Sequence, residues 1–97
     1  MINKRASFFD LKGKSVFITG GGSGIGAAIT EAFLAQGSKV SFAQRSDANA
    51  FCEQMERRHK NRPHSICCDI SDISQLNRGL EEAIEKNGPI EVLVNNA

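Results

Sequence analysis

Five glycines fall within the seven residues from Gly20 to Gly26, directly after the short β-branched and aromatic run Ser15-Val16-Phe17-Ile18-Thr19. So dense a cluster costs chain entropy and needs a mechanical reason. Its position supplies one. A side-chain-free turn between a buried strand and the following helix lets backbone approach a phosphate closely, with free N–H groups and the positive helix end facing it. In this reading Gly20 makes the turn, Gly24 lets the phosphate approach, and Gly26 lets the helix pack close to the strand. The spacing is Gly-x-x-x-Gly-x-Gly, not Gly-x-Gly-x-x-Gly. No Lys-Ser or Lys-Thr follows the last glycine, which disfavours a nucleoside-triphosphate P-loop.

The rest of the chain repeats the strand, turn and helix order. Ile25, Ala28, Ile29, Ala32 and Phe33 recur at helical spacing until Gly37, which suits the left-handed position beyond a helix end. Lys39 to Ala43 reads as a second strand, and Ser46 or Asp47 can cap a helix with Phe51, Cys52 and Met55 on its inner face. Pro63 closes that unit. Ser65 to Cys68 is a third strand, Asp72 or Ser74 opens a helix with Leu76, Leu80 and Ala83/Ile84 inward, and Asn87-Gly88-Pro89 stops it. Ile90 to Val94 is the last strand. Strands alternating with helices imply right-handed crossovers, hence an α/β fold of three layers around a parallel sheet of about four strands, with about three helices.

Composition narrows the function classes. The 97 residues suffice for one small domain, whose core buries only about two-thirds of the surface of the unfolded chain. A net charge of +1 with both signs interspersed gives no field that would favour nucleic acid or an anionic membrane, so a small-molecule partner is expected. Cys52, Cys67 and Cys68 are odd in number and two are adjacent, which suits neither a disulfide framework nor a tetrahedral metal site. They read as reduced thiols of a cytoplasmic protein. No stretch approaches the roughly 20 apolar residues of a membrane span. Phe8, Phe9 and Leu11 are expected to pack. The run from Arg57 to Arg62 covers a helix C-terminus with cations, with His59 and His64 solvated around it.

The departure from Gly-x-Gly-x-x-Gly carries a resemblance. Thr19-Gly20-x-x-x-Gly24-Ile25-Gly26 after a first strand resembles the signature of the short-chain dehydrogenase/reductase family. Leu11-Lys12-Gly13-Lys14 is similar to that family's lead-in, Cys68-Asp69-Ile70 to its adenine-contacting pair, and Val94-Asn95-Asn96-Ala97 to its Asn-Asn-Ala-Gly. The overall look is closest to the bacterial sugar and polyol dehydrogenases. The resemblance implies a Rossmann-type NAD(P)-binding domain over residues 1–97. It implies a phosphate turn of Thr19, Gly20, Gly22, Ser23, Gly24, Ile25 and Gly26, with Asp69 accepting from the adenine amino group and Ile70 packing on the ring. Asn95 and Asn96 would line the cofactor and tie their strand end to its neighbour. The implied activity is hydride transfer between nicotinamide and an alcohol or carbonyl, in a homo-oligomeric parent. The family's proton-transferring Tyr-x-x-x-Lys pair has no counterpart here, since the sequence contains no tyrosine; no catalytic residue and no metal ligand is assigned. The expectation is therefore an N-terminal fragment.

Which dinucleotide is expected turns on the end of the second strand. Dinucleotide folds place an acidic residue there, about 20 residues beyond the glycines, to hold the ribose 2′-hydroxyl. Here Gln44 stands at that point, followed by Arg45. Gln44 does not repel a 2′-phosphate, and the planar fork of Arg45 can hold one with two charge-assisted bonds. This favours NADP over NAD. Against it, Ser23 is neutral where many NADP-preferring relatives carry a base, and Gln44 can itself bond an unphosphorylated ribose. Asp47 is expected to cap the next helix, although from there it can also reach the ribose. Two other classes compete: a non-catalytic nucleotide-binding or interaction module of this length, and an S-adenosylmethionine-dependent methyltransferase. The latter is weakened by the missing acidic residue on strand two.

Overall fold

Val16, Phe17 and Ile18 have no accessible surface, because their strand, β1 (Ser15–Thr19), has a parallel neighbour on each side. A computed structural model describes residues 11–96. The expected packing of Phe8 and Phe9 lies outside the described residues. After β1 come α1 (Gly24–Ala35), β2 (Lys39–Gln44), α2 (Asn49–His59), β3 (His64–Cys67), α3 (Ile73–Asn87) and β4 (Val92–Asn95). The sheet order is β3-β2-β1-β4, with every neighbouring pair parallel. The chain thus steps outward from β1 to β3, then returns to the far side of β1. In open α/β sheets, ligands bind at such a reversal, outside the carboxyl ends of the strands.

Period-two alternation distributes the core over two faces. Val16, Ile18, Val40 and Phe42 point to one face, where Leu34 of α1 and Cys52 and Met55 of α2 cover them. Phe17, Ala43 and Ile66 point to the other and meet Ala83 of α3, with Leu76 and Leu80 alongside. Asp72 opens α3 as expected, its carboxylate accepting from the Ser74 and Gln75 N–H groups at 3.0 and 3.3 Å. Gly37 takes the left-handed conformation, φ 84°. No helix among the described residues is long and apolar enough to cross a membrane.

Several expectations are corrected. The buried stripe of α1 is Gly26, Thr30 and Leu34, with Ile29 and Phe33 beside it, whereas Ile25 is 75% exposed and Ala28 and Ala32 face solvent. The helix rotates so that Gly26, which has no side chain, meets the turn. The residue directly before α2, at its N-cap, is Ala48, which has no side-chain cap; Asp47, one position earlier, still accepts from the Asn49 N–H at 3.1 Å. β2 runs on to Gln44, β3 begins at His64 and β4 covers Val92–Asn95, because ladder partners, not apolarity, set where pairing starts and stops. On α3, Ala83 is buried and Ile84 exposed. The histidines are paired, not merely solvated: His59 Nε2 lies 2.8 Å from a Glu31 oxygen, and His64 Nε2 lies 2.6 Å from one of Glu82.

Candidate functional site

The glycine turn is assembled by close approach. Gly20 leaves β1 with φ 72° and donates its N–H to the Ala43 carbonyl at 2.7 Å. On Gly26 a Cβ would overlap the Gly20 carbonyl oxygen and lie 2.8 Å from Asn96 Nδ2. Only glycine lets α1 descend that far. Gly21, which sequence reasoning did not single out as a site residue, is buried against the Phe42 side chain in the same way. Gly24 differs: its φ is 57°, yet a Cβ there would meet nothing within 4 Å. The space outside Gly24 is open to a ligand. Ser23 is the N-cap of α1 but makes no side-chain cap bond, so its exposed hydroxyl is not used by the helix.

The ends of β1 and β4 are laced together. Thr19 Oγ1 donates to Asn95 Oδ1 at 3.1 Å and accepts from the Asn96 N–H at 2.9 Å. Asn96 Nδ2 donates to the Gly20 carbonyl at 3.2 Å. Both asparagines therefore hold the strand end to its neighbour and to the turn.

Beside the turn, at the carboxyl ends of β1, β2 and β3, lies a cleft of about 500 Å3. Five of the residues expected to bind a cofactor line it: Gly20, Gln44, Arg45, Asp69 and Ile70. Ala43, Ser46 and Cys68 also line it and were missed. Ala43 and Cys68 belong to the core cluster on the α3 face, and strand alternation is the signal that points to them. Asp69 Oδ1 accepts from the Ser71 hydroxyl at 2.7 Å and its N–H at 3.0 Å. Those bonds, the hydroxyl's foremost, with the Arg45 charge adding, hold the Asp69 carboxyl below its ordinary pKa. It is an acceptor facing an open cleft. The wall is pinned from behind, as the Cys68 N–H donates to the Gln44 carbonyl and the Asp69 N–H to Gln75 Oε1, each at 2.9 Å. Burial pushes the Cys68 thiol up in pKa, so it lines the cleft as a neutral group.

Gln44 is engaged. Its Nε2 donates to the carbonyl and hydroxyl of Ser46, at 3.0 and 3.2 Å, and its amide covers the space a Gly22 side chain would need. Arg45 is exposed beside it. The cleft does not gather every expected residue. Gly22, Ser23, Gly24, Ile25 and Gly26 continue past it to the start of α1, and Thr19 and Asn95 line a second groove of about 320 Å3 on the α3 side, with Phe17, Leu80 and Leu93.

The sequence pattern of the family described as short chain dehydrogenase matches residues 14–97. The chain belongs to that family. It is 40% identical over 94 residues to a probable galactose dehydrogenase of Rhizobium meliloti, an alignment covering 95% of this chain and 37% of that relative. The L-sorbose reductase of Gluconobacter frateurii, solved with NADPH and L-sorbose, superposes with a TM-score of 0.79 at 25% identity, over 87% of this chain and 33% of that one. An NADH-dependent reductase solved with NAD superposes with a TM-score of 0.80 at 28% identity, over 91% and 37%. The chain thus spans about a third of the length of these relatives.

Proposed function

We propose that this chain is the cofactor-binding part of an NAD(P)-dependent oxidoreductase that transfers hydride between nicotinamide and an alcohol or carbonyl, with a sugar or polyol as the substrate class. The observation that carries the reading is the cleft in which the turn residue Gly20 meets Arg45, Asp69 and Ile70. An adenosine fits that chemistry: Asp69 is held ionised as an acceptor for the amino group, and Ile70 offers an apolar surface for the ring. The diphosphate belongs at the open space over Gly24 and the first N–H groups of α1, with Thr19, Gly20, Gly22, Ser23, Ile25 and Gly26 shaping that turn. Asn95 and Asn96 lie next along the same strand ends and line the path to the nicotinamide. The bound nicotinamide supplies hydride transfer; the residues of this chain bind and orient it. Similarity to a probable galactose dehydrogenase and to a sorbose reductase supports a sugar substrate.

NADP is the favoured cofactor. The solved neighbours include one with NADPH and one with NAD, so the preference rests on this chain's own residues. Gln44 is engaged with Ser46, and the exposed wall carries the Arg45 cation. A 2′-phosphate meets a guanidinium and a hydroxyl there, and neither repels it. The reading extends to a cytoplasmic location, supported by three unpaired cysteine thiols, and to a homo-oligomeric parent. The test is Arg45→Ala with both cofactors: loss of a charge-assisted contact weakens NADP about ten- to a hundredfold and leaves NAD nearly unchanged. Equal loss for both cofactors would assign Arg45 to the fold or the adenine face and remove the case for NADP.

A further inference from the structure

Thr30 lies midway along α1 with no accessible surface, and its hydroxyl donates to the Gly21 carbonyl at 2.9 Å. Threonine is a poorer helix former than alanine, and a buried hydroxyl is unfavourable unless bonded. An apolar residue of the same size would fill the space as well. The hydroxyl is therefore explained by the bond it makes to the turn. Gly21 is confined from two sides, since a Cβ on it would lie 2.8 Å from both Thr30 Oγ1 and Phe42 Cγ. Its carbonyl is drawn into the interior between α1 and β2. In a trans peptide the carbonyl and the following N–H point opposite ways. Fixing the Gly21 carbonyl inward accordingly turns the Gly22 N–H outward, onto the surface of the turn. Nothing in Gly20-Gly21-Gly22 itself resists rotation of that peptide plane, because none of the three carries a side chain. Without the latch, the plane is free to present a carbonyl oxygen where an anion must sit.

We propose that Thr30 is a positioning residue for the diphosphate of the cofactor, acting through the orientation of the Gly21–Gly22 peptide. The inference rests on the dinucleotide reading above and adds a residue outside the turn and outside the cleft. The experiment uses the intact protein and two probes read by NMR titration. One is ADP-ribose, which carries the diphosphate; the other is adenosine 2′-monophosphate, which does not. Thr30→Val removes the hydroxyl and keeps the shape, and Thr30→Ser keeps the hydroxyl. In T30V, ADP-ribose binds about tenfold more weakly, the equivalent of one neutral hydrogen bond, while T30S restores it to within about twofold. Binding of adenosine 2′-monophosphate is the same in all three proteins. Equal ADP-ribose affinity in T30V and the unsubstituted protein would overturn the inference alone. Loss of both probes in T30V, unrecovered in T30S, would mark Thr30 as a packing residue and overturn it too. If the unsubstituted protein fails to bind ADP-ribose, the dinucleotide reading itself falls and this inference with it.

Discussion

Among the described residues, two helices, α1 and α2, cover one face of the sheet, and α3 alone covers the other. The first face is filled around β2: Phe42 meets Phe51 edge-on with ring centroids 5.8 Å apart, and Gly21 sits on the Phe42 side chain. The second face leaves Leu93 of β4 exposed and a groove between it and Phe17, Leu76 and Leu80. The difference divides labour. The turn that must keep its backbone fixed is anchored into the filled face, through Gly21, Gly26 and Thr30. The cleft that must admit a ligand opens among Ala43, Cys68 and Ile70 of the sparser one.

The sharpest way to break this contrast is to remove one buried phenylalanine from each face. Phe42→Ala is expected to destabilise by about 4 kcal/mol and Phe17→Ala by about 3, both within the range for large core truncations. Phe42 is boxed in by Phe51 and the turn, so its removal leaves a cavity that cannot close, while Phe17 already borders an open groove. Urea denaturation of both variants measures the order. A larger loss at Phe17 would show that the single-helix face is the better packed. Next comes Gly26→Ala, whose Cβ meets backbone, not a flexible side chain. It is expected to cost about 2 kcal/mol by overpacking and to weaken ADP-ribose binding as α1 is pushed off the turn. Loss of stability with unchanged binding would separate the turn from the face that anchors it.

On the sparser face the test is the cap of α3. Asp72→Ala removes the acceptor for the Ser74 and Gln75 N–H groups and is expected to cost about 1 kcal/mol. Because α3 has no second helix beside it in the described residues, its first turn then frays locally. Amide exchange of residues 73–76 should accelerate while α1 is unaffected; acceleration in both helices would mean that the faces unfold together.

How much of this was legible in the sequence follows from which forces are local. β1, the turn and Gly26 were readable because an apolar run, a glycine cluster and a helix period lie side by side in the chain. The Asp72 cap was readable for the same reason. The rotation of α1 was not. Counting apolar residues selects Ile25, Ala28 and Ala32, whereas the buried stripe of Gly26, Thr30 and Leu34 is set by the approach of Gly26 to the Gly20 carbonyl, a tertiary fact. Gly21 escaped notice because the residue it packs on, Phe42, belongs to the next strand. The cleft was half legible: Gln44 and Arg45 could be placed by distance from the glycines, and Asp69 and Ile70 by their resemblance to the family's adenine-contacting pair. Ser46 and Cys68 join it only because β2 and β3 end at one level, with Gln44 opposite Cys67.

The smallest expected effect concerns the seam between the two helices of the filled face. Glu31 of α1 accepts from Arg58 and lies 2.8 Å from His59 Nε2, both on the last turn of α2. The Arg58 bond foremost, then that of His59, holds the Glu31 carboxyl below its usual pKa, against a smaller opposing effect of burial. A carboxyl with a depressed folded-state pKa contributes stability above its unfolded value of about 4.3, and that contribution is lost as pH falls through the lower folded value. Glu31→Gln cannot titrate. Near neutral pH the variant is expected to be less stable by under about 1 kcal/mol, as for other partly exposed pairs, and less still at high salt. The difference between the two proteins should shrink as pH drops below about 4. Thermal melts at several pH values check this. A difference that persists unchanged into acid would mean that Glu31 holds α1 to α2 by packing of its methylenes, and the seam would then owe nothing to charge.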